Sequence, residues 1–241
     1  MKQKPIHSSM EGFLKGQLVS IDKPLHWTSF DAVKKIRILT GVSKVGHAGT
    51  LDPLATGLLI ICTGSLTKKI AEYMGMEKEY TGIITLGATT ATYDLEREPE
   101  NFKETGNIPE ADIYNTAVKF TGEVLQTPPI HSAIKKEGKP VYLLARKGKE
   151  VELEPRKIEI RLFDITRIAL PEIHFKVVCS TGTYIRSLAN DFGKALGTGG
   201  YLSSLRRTRI GNFLVDDALS PQQFEEEIKK MKALSERQAN T

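Results

Sequence analysis

Residues 46–58, GHAGTLDPLATGL, gather three glycines and a proline around one carboxylate, Asp52, and run into the apolar segment Leu58–Cys62. Glycine takes up positive φ and lets another chain segment come close. A residue that precedes proline is driven out of the helical region. The run therefore predicts a shaped loop that presents Asp52 just before a short buried strand. Loops held by a rigid scaffold are where reactive groups concentrate. An isolated Asp-Pro is ordinarily a plain turn, so the rest of the chain must decide what this one does.

The remaining sequence mixes the periods of strand and helix. Gln17–Asp22 alternates like a half-buried strand. Ser29 is placed to cap a helix running to about Leu39, with Gly41 at its end. Ser65–Met74 reads as a second helix and Tyr80–Leu86 as a strand. Pro109 suits the first turn of a helix through Phe120, closed by Gly122, and Val141–Lys147 reads as a short helix between basic turns. Lys157–Ile165 and Ile173–Cys179 alternate as strands. Ile185, Leu188, Ala189, Phe192 and Leu196 follow helical spacing up to Gly197. Tyr201–Phe213 reads as one or two strands, Ser220–Met231 as a final helix, and residues 1–12 as a flexible arm. Without βαβ regularity this order points to an α+β domain on a largely antiparallel sheet.

At 241 residues the chain can bury a full core as one large domain or two small ones. The longest apolar stretch, Gly57–Cys62, is far too short to span a bilayer. Lys2 and Lys4 have no apolar segment behind them, so no secretory signal is expected and the protein is assigned to the cytoplasm. Cys62 and Cys179 stand alone, and with five histidines they form no ligand spacing, so no metal is expected. The net charge of +5 is unevenly spread. Residues 1–47 carry eight Lys/Arg against three acids, 135–161 nine against five, and 186–209 five against one, while 94–112 carry two against seven. A basic face with an acidic back is what a polyanionic ligand requires.

Five segments in order carry a resemblance. GHAGTLDPLATGL resembles the signature of the bacterial tRNA pseudouridine-55 synthases, the TruB family, in which the matching aspartate is the nucleophile. GQLVSIDKPLHW (16–27) looks like the family's opening strand and Asp-Lys-Pro element, and KEYTGIITLG (78–87) like its second motif, with Tyr80. PPIHSAIKKEGKPVYLLARKG (128–148) looks like its inserted RNA-gripping segment. TGTYIRS (181–187) carries Tyr184 and Arg186, and Leu205, Arg206 and Arg207 follow. The match spans roughly residues 13–215.

The resemblance implies a pseudouridine synthase fold, with a mixed, largely antiparallel sheet, flanking helices and a central catalytic cleft. It implies a catalytic domain over 13–215 with the RNA-gripping insertion at about 124–156. Only 216–241 remain as a helical tail, so the further C-terminal domain of the PUA type common in the family is not expected. The implied reaction moves uracil from an N1 to a C5 link on the ribose of a tRNA uridine. It is redox-neutral, and no cofactor is expected, in keeping with the lack of a Walker loop or dinucleotide fingerprint. Asp52 is the expected nucleophile, Tyr80 stacks on the uracil and can reach the C5 proton, and Arg186 keeps the carboxylate ionised. Arg186 lies in the first turn of a helix, where the dipole disfavours a cation, which argues for a role beyond structure. Tyr184 and Leu205 are expected to line the uracil pocket. His47 is expected to stack where the flipped base had been, and Lys23, Arg146, Arg206 and Arg207 to contact phosphates.

Two positions depart from the family. His26 stands where glycine is frequent, so the turn after Pro24 is expected to differ. In TTATYDLER (89–97), Asp94 fits but Ala91 takes a place often held by aspartate. The expected ligand is the T stem-loop of tRNA, with the protein acting as a monomer without an obligatory protein partner. Three other readings compete: a tRNA-binding chaperone on the same fold, a synthase subunit that depends on a guide RNA, and a glycosidase. Intact Asp52, Tyr80 and Arg186 oppose the first. The absent C-terminal domain opposes the second. No second acid beside Asp52 supports the third.

Overall fold

The computed structural model describes residues 10–130 and 153–239, with the backbone of the two-stranded ladder Lys135–Lys136 and Lys139–Pro140 between them. In chain order the elements are α1 (Met10–Lys15), β1 (Leu18–Lys23), α2 (Ser29–Thr40), β2 (Val45–His47), β3 (Ala55–Thr63), a 3₁₀ helix (Gly64–Lys69), α3 (Ile70–Gly75) and β4 (Lys78–Leu86). Then come α4 (Glu110–Lys119), β5 (Gly122–Gln126), β6 and β7 of the small ladder, β8 (Arg156–Ala169), β9 (Glu172–Cys179), α5 (Ile185–Ala195), β10 (Gly200–Ile210), β11 (Phe213–Leu214) and α6 (Pro221–Ala239). The architecture is α+β, with mainly antiparallel ladders and flanking helices. The chain divides into two compact units, Met1–Tyr80 with Arg206–Thr241, and Thr81–Leu205.

In the first unit β3 is the organising strand. It pairs antiparallel with β1 from Leu18↔Cys62 to Lys23↔Gly57, and with β2 from Val45↔Thr63 to His47↔Ile61. Successive side chains on a strand point to opposite faces. Leu59 and Ile61 accordingly enter a core with Phe13 of α1, Val33 and Ile36 of α2, and Phe224 and Ile228 of α6. Leu58, Ile60 and Cys62 enter a second core with Ile210 and Val215, covered by Leu66, Ile70 and Tyr73. This double burial explains why the segment reads as an unbroken apolar run. It also makes α6 a core element, with Phe224 in an edge-to-face contact with Phe13 at 6.0 Å, where the sequence predicts a tail.

Local chemistry corrects several boundaries. The cap of α2 is Thr28, not Ser29: Thr28 and Asp31 bond reciprocally to each other's backbone N–H in a capping box. Gly41 ends the helix in the left-handed conformation, as the sequence predicts. The expected helix 65–74 is a 3₁₀ helix that passes into one turn of α-helix. Residues 10–12, expected in a flexible arm, belong to α1, whose Phe13 is buried.

In the second unit the strands follow the order β4, β9, β8, β5. β8 and β9 form a long antiparallel hairpin with two bulges, and both expected strands extend beyond their predicted ends. β5, missed by the sequence reading, runs antiparallel to β8 from Gly122↔Ile160 to Gln126↔Arg156. That ladder pairs the two ends of the segment predicted as an insertion, residues 124–126 and 156, in the sheet. Phe163, Phe175 and Phe192 join the sheet to α5, with ring centroids 5.8 and 5.4 Å apart. The predicted helix 141–147 lies outside the described residues.

Gly57 holds φ at +104°, and a Cβ there would sit 2.3 Å from the Arg207 carbonyl oxygen and 2.8 Å from its nitrogen. Gly41 also has positive φ but faces open space. Gly57→Ala should therefore cost more than about 3 kcal/mol, because backbone must move, and Gly41→Ala about 1 kcal/mol from conformation alone. Urea unfolding of both variants checks this, and equal losses contradict it.

Candidate active site

The Asp52 loop leaves β2 at His47 and enters β3 at Ala55, and its backbone is tied down along its length. Ala48 N–H donates to Ile60 O at 2.8 Å and Ala55 N–H to Asp52 O at 3.0 Å. Leu51 is held at both ends of its peptide: its N–H donates to Ser29 Oγ at 2.8 Å, and Ser29 Oγ donates to Leu51 O at 3.1 Å. Ser29, read from sequence as a helix cap, thus fixes the residue before Asp52. His26 N–H donates to Pro53 O at 2.8 Å. His26 has φ of +66°, so the position where the family often has glycine does need the left-handed region. Histidine enters that region more readily than most residues.

Two buried cations complete the bracing. Arg207 is 1% exposed. Its guanidinium donates to three carbonyls of the loop and of β3: Leu58 O at 2.7 Å, Gly49 O at 3.1 Å and Thr50 O at 3.4 Å. Lys23 is fully buried, with Nζ donating to Trp27 O at 2.6 Å and Pro24 O at 3.0 Å. These placements correct the expectation that both contact phosphates, since neither head has surface to offer. Arg206, the preceding residue on β10, points the other way and grips Asp22 with two bonds at 2.7 and 3.0 Å, partly exposed. The Asp-Lys-Pro element therefore has a structural reading: Asp22 takes Arg206, Lys23 locks the turn, and Pro24 supplies an accepting carbonyl.

Electrostatics in this unit centre on the same groups. Burial lowers the Lys23 pKa from 10.5 to about 8; the nearby Asp52 charge opposes the drop, Arg207 adds to it, and Asp31 opposes it. His47 is held below its ordinary value by burial first and by Arg207 second. Both causes favour the neutral ring, the form that stacks without carrying charge. Asp52 itself is half-buried between Leu51 and Pro53. Tyr80, on β4, is 8% exposed.

The second unit holds the other predicted residues. Arg186 is the second residue of α5, as the spacing predicts, and 5% exposed. Its Nη1 donates to Thr92 O at 3.2 Å and its Nε lies 3.6 Å from Asp94 Oδ2, a buried ion pair. Asp94 and Thr92 belong to the loop after β4, and Tyr93 between them takes φ of +64°. Tyr184 is the N-cap residue of α5 and Leu205 is buried on β10. Gln126, which no sequence signal marks, bonds both the N–H and the C=O of Tyr184. Arg146 lies outside the described residues. Among those described, no three His, Cys, Asp or Glu side chains group to hold a metal ion.

The TruB family pseudouridylate synthase N-terminal domain matches residues 37–185, and the tRNA pseudouridylate synthase B C-terminal domain matches residues 186–239. A tRNA pseudouridine synthase B from Flavobacterium johnsoniae is 55% identical over 225 residues, covering 90% of this chain and 98% of that protein. Its counterpart from Parabacteroides distasonis is 46% identical over 220 residues, covering 89% and 94%. Among solved structures, a chain of a Cbf5–Nop10–Gar1 complex superposes with a TM-score of 0.71 at 28% identity. That likeness covers 90% of this chain and 56% of the other, so the chain spans little more than half of that neighbour.

The Lys23 shift sets a sign for stability. Between pH of about 8 and 10.5 the unfolded chain holds the proton that folded Lys23 has lost. Stability should therefore rise with pH through that window, by up to about 3 kcal/mol. Below it, the folded chain carries the full cost of the buried charge. Lys23→Met removes the titrating group and should flatten the difference. Urea midpoints of both proteins from pH 7 to 10.5 test this, and parallel curves contradict it.

Proposed function

Because the chain belongs to the TruB family of pseudouridylate synthases, we propose that it isomerises uridine 55 in the T loop of tRNA to pseudouridine. The 55% identity with a tRNA pseudouridine synthase B over nearly that protein's whole length carries this reading. The likeness to a Cbf5 complex, at 28% identity, is the weaker tie, so the guide-dependent alternative is set aside. No helix among the described residues is long and apolar enough to cross a membrane. The protein acts in the cytoplasm as a monomer, on the T stem-loop.

The chemistry breaks the bond from ribose C1′ to uracil N1, forms one from C1′ to C5, moves the C5 proton to a base and returns a proton to N1. Nothing is oxidised and nothing leaves. The target base must first unstack and flip, at a cost of a few kcal/mol. His47, as a neutral ring, fills the gap left in the stack. Tyr80 stacks on the uracil, Tyr184 and Leu205 line its pocket, and the Tyr80 hydroxyl serves the C5 proton. Asp52 is the nucleophile; attack on the base, attack on the sugar and removal of a sugar proton all begin from its ionised form. The braced loop supports this role, because a carboxylate whose backbone cannot drift needs no ordering when the substrate arrives. Arg186 keeps the part the family resemblance gives it, as the permanent cation that favours that ionised form. Arg206 and Arg146 contact phosphates, which position the RNA without reading its sequence.

Incubation with unmodified tRNA and mapping of pseudouridine tests the reading. One product at position 55 is expected, and no product or another position contradicts it. Asp52→Asn keeps shape and removes charge, so product should vanish while tRNA affinity stays within about three-fold. Arg186→Lys should be nearly as harmful as removal, because an ammonium does not reproduce the fixed, planar spread of donors of a guanidinium held by Thr92 O and Asp94. A near-normal single-turnover rate for the lysine variant contradicts that role.

A further inference from the structure

Gln126 ends β5 at the root of the RNA-gripping insertion, buried at 5% exposure, 58 residues from its partner in sequence. Its side-chain amide copies a strand neighbour. Oε1 accepts the Tyr184 N–H at 2.8 Å, and Nε2 donates to Tyr184 O at 3.0 Å. The same carbonyl accepts Leu188 N–H at 3.1 Å, the first helical bond of α5. Tyr184 is the N-cap of that helix, but its side chain makes no capping bond. A tyrosine ring cannot cap the helix as Ser, Thr, Asp or Asn do. What fixes the entry to α5 is therefore Gln126, with a second tie in the next residue, where Ser187 Oγ donates to Thr127 O at 2.8 Å.

The consequence falls on two proposed site residues. Tyr184 has its backbone clamped, so the origin of its ring is fixed. Arg186 follows two residues later in the first turn of α5, with Thr92 O and Asp94 holding its guanidinium. We propose that Gln126 is a positioning residue for the isomerisation, setting Tyr184 and the first turn of α5 through a paired amide-to-backbone contact. The inference rests on the function proposed above. It also accounts for a buried primary amide that no packing argument requires: both of its polar atoms are spent on the backbone of one residue, where an apolar side chain of the same length would leave an N–H without its partner.

The pattern of one acceptor and one donor gives a test that packing alone does not. A neutral carboxylic acid presents the same pattern; a carboxylate presents two acceptors and repels Tyr184 O. Gln126→Glu should therefore follow pH. Arg156 stands opposite Gln126 in the β5–β8 ladder, with Lys157 next to it and Glu159 and Arg161 further along β8; α5 brings Arg186, paired with Asp94, and further on Asp191 and Lys194; the wild-type profile serves as the reference for all of them.

The experiment measures single-turnover pseudouridine formation, tRNA affinity and melting temperature for wild type, Gln126→Met and Gln126→Glu from pH 5.5 to 8.5. Gln126→Met should lose about 30-fold or more in rate with affinity within about three-fold of wild type. The rate of Gln126→Glu relative to wild type should rise about ten-fold as pH falls, as the introduced carboxyl gains its proton. If Gln126→Met fails to fold, that ratio still decides. A ratio independent of pH, or a folded Gln126→Met at the wild-type rate, overturns the proposal. Absence of pseudouridine from the wild-type reaction overturns the function reading and this inference with it. Active wild type with unaffected variants overturns this inference alone.

Discussion

A loop that carries a carboxylate out of a sheet gives up the ladder that satisfied its backbone. Here the lost partners are replaced by a buried guanidinium. Arg207 donates to Gly49, Thr50 and Leu58, three carbonyls on either side of Asp52. A neutral side chain has too few donors for this, whereas arginine has five in a rigid fork. Burying the charge costs free energy that carbonyl dipoles must offset. The lowered pKa of Lys23, which does the same for the Pro24–Trp27 turn, shows that in its case the offset is incomplete.

The rest of the first unit can be followed outward from that contact. Gly57 must lack a Cβ because the Arg207 backbone lies against it. Arg206 must point away from Arg207, because neighbours on a strand face opposite sides, and there it meets Asp22. Ser29 is the first residue of α2, so the helix that covers one face of β3 also holds Leu51. The second unit uses a related device at Arg186, where a main-chain carbonyl and a buried aspartate hold the guanidinium.

What the sequence makes legible is what period and steric rule decide. The helix with Gly41 at its end, the apolar strand after Asp52, the alternation of Ile173–Cys179 and the place of Arg186 in a first turn all follow from local pattern. Partner choice does not. Ser29 is by type at least as good a cap as Thr28, and only the neighbourhood of Leu51 assigns Ser29 elsewhere. Lys23 and Arg207 carry the charge of surface residues, and their burial depends on carbonyls distant in sequence. β5 has one exposed and one half-covered face and too little alternation to stand out, and Gln126 looks like any polar strand end. His26 marks the reverse case, in which a residue other than glycine takes the positive φ of its turn.

The central claim is that the Asp52 loop is fixed by the protein before any RNA arrives. Amide hydrogen exchange of the free protein measures this directly. The N–H groups of Ala48, Leu51 and Ala55 each have a partner within the unit, so their exchange should be slowed at least about 100-fold relative to an unstructured chain. Exchange of the Leu51 and Ala55 amides at the unstructured rate, with β3 still protected, would mean that the loop orders only on substrate, and would contradict the account.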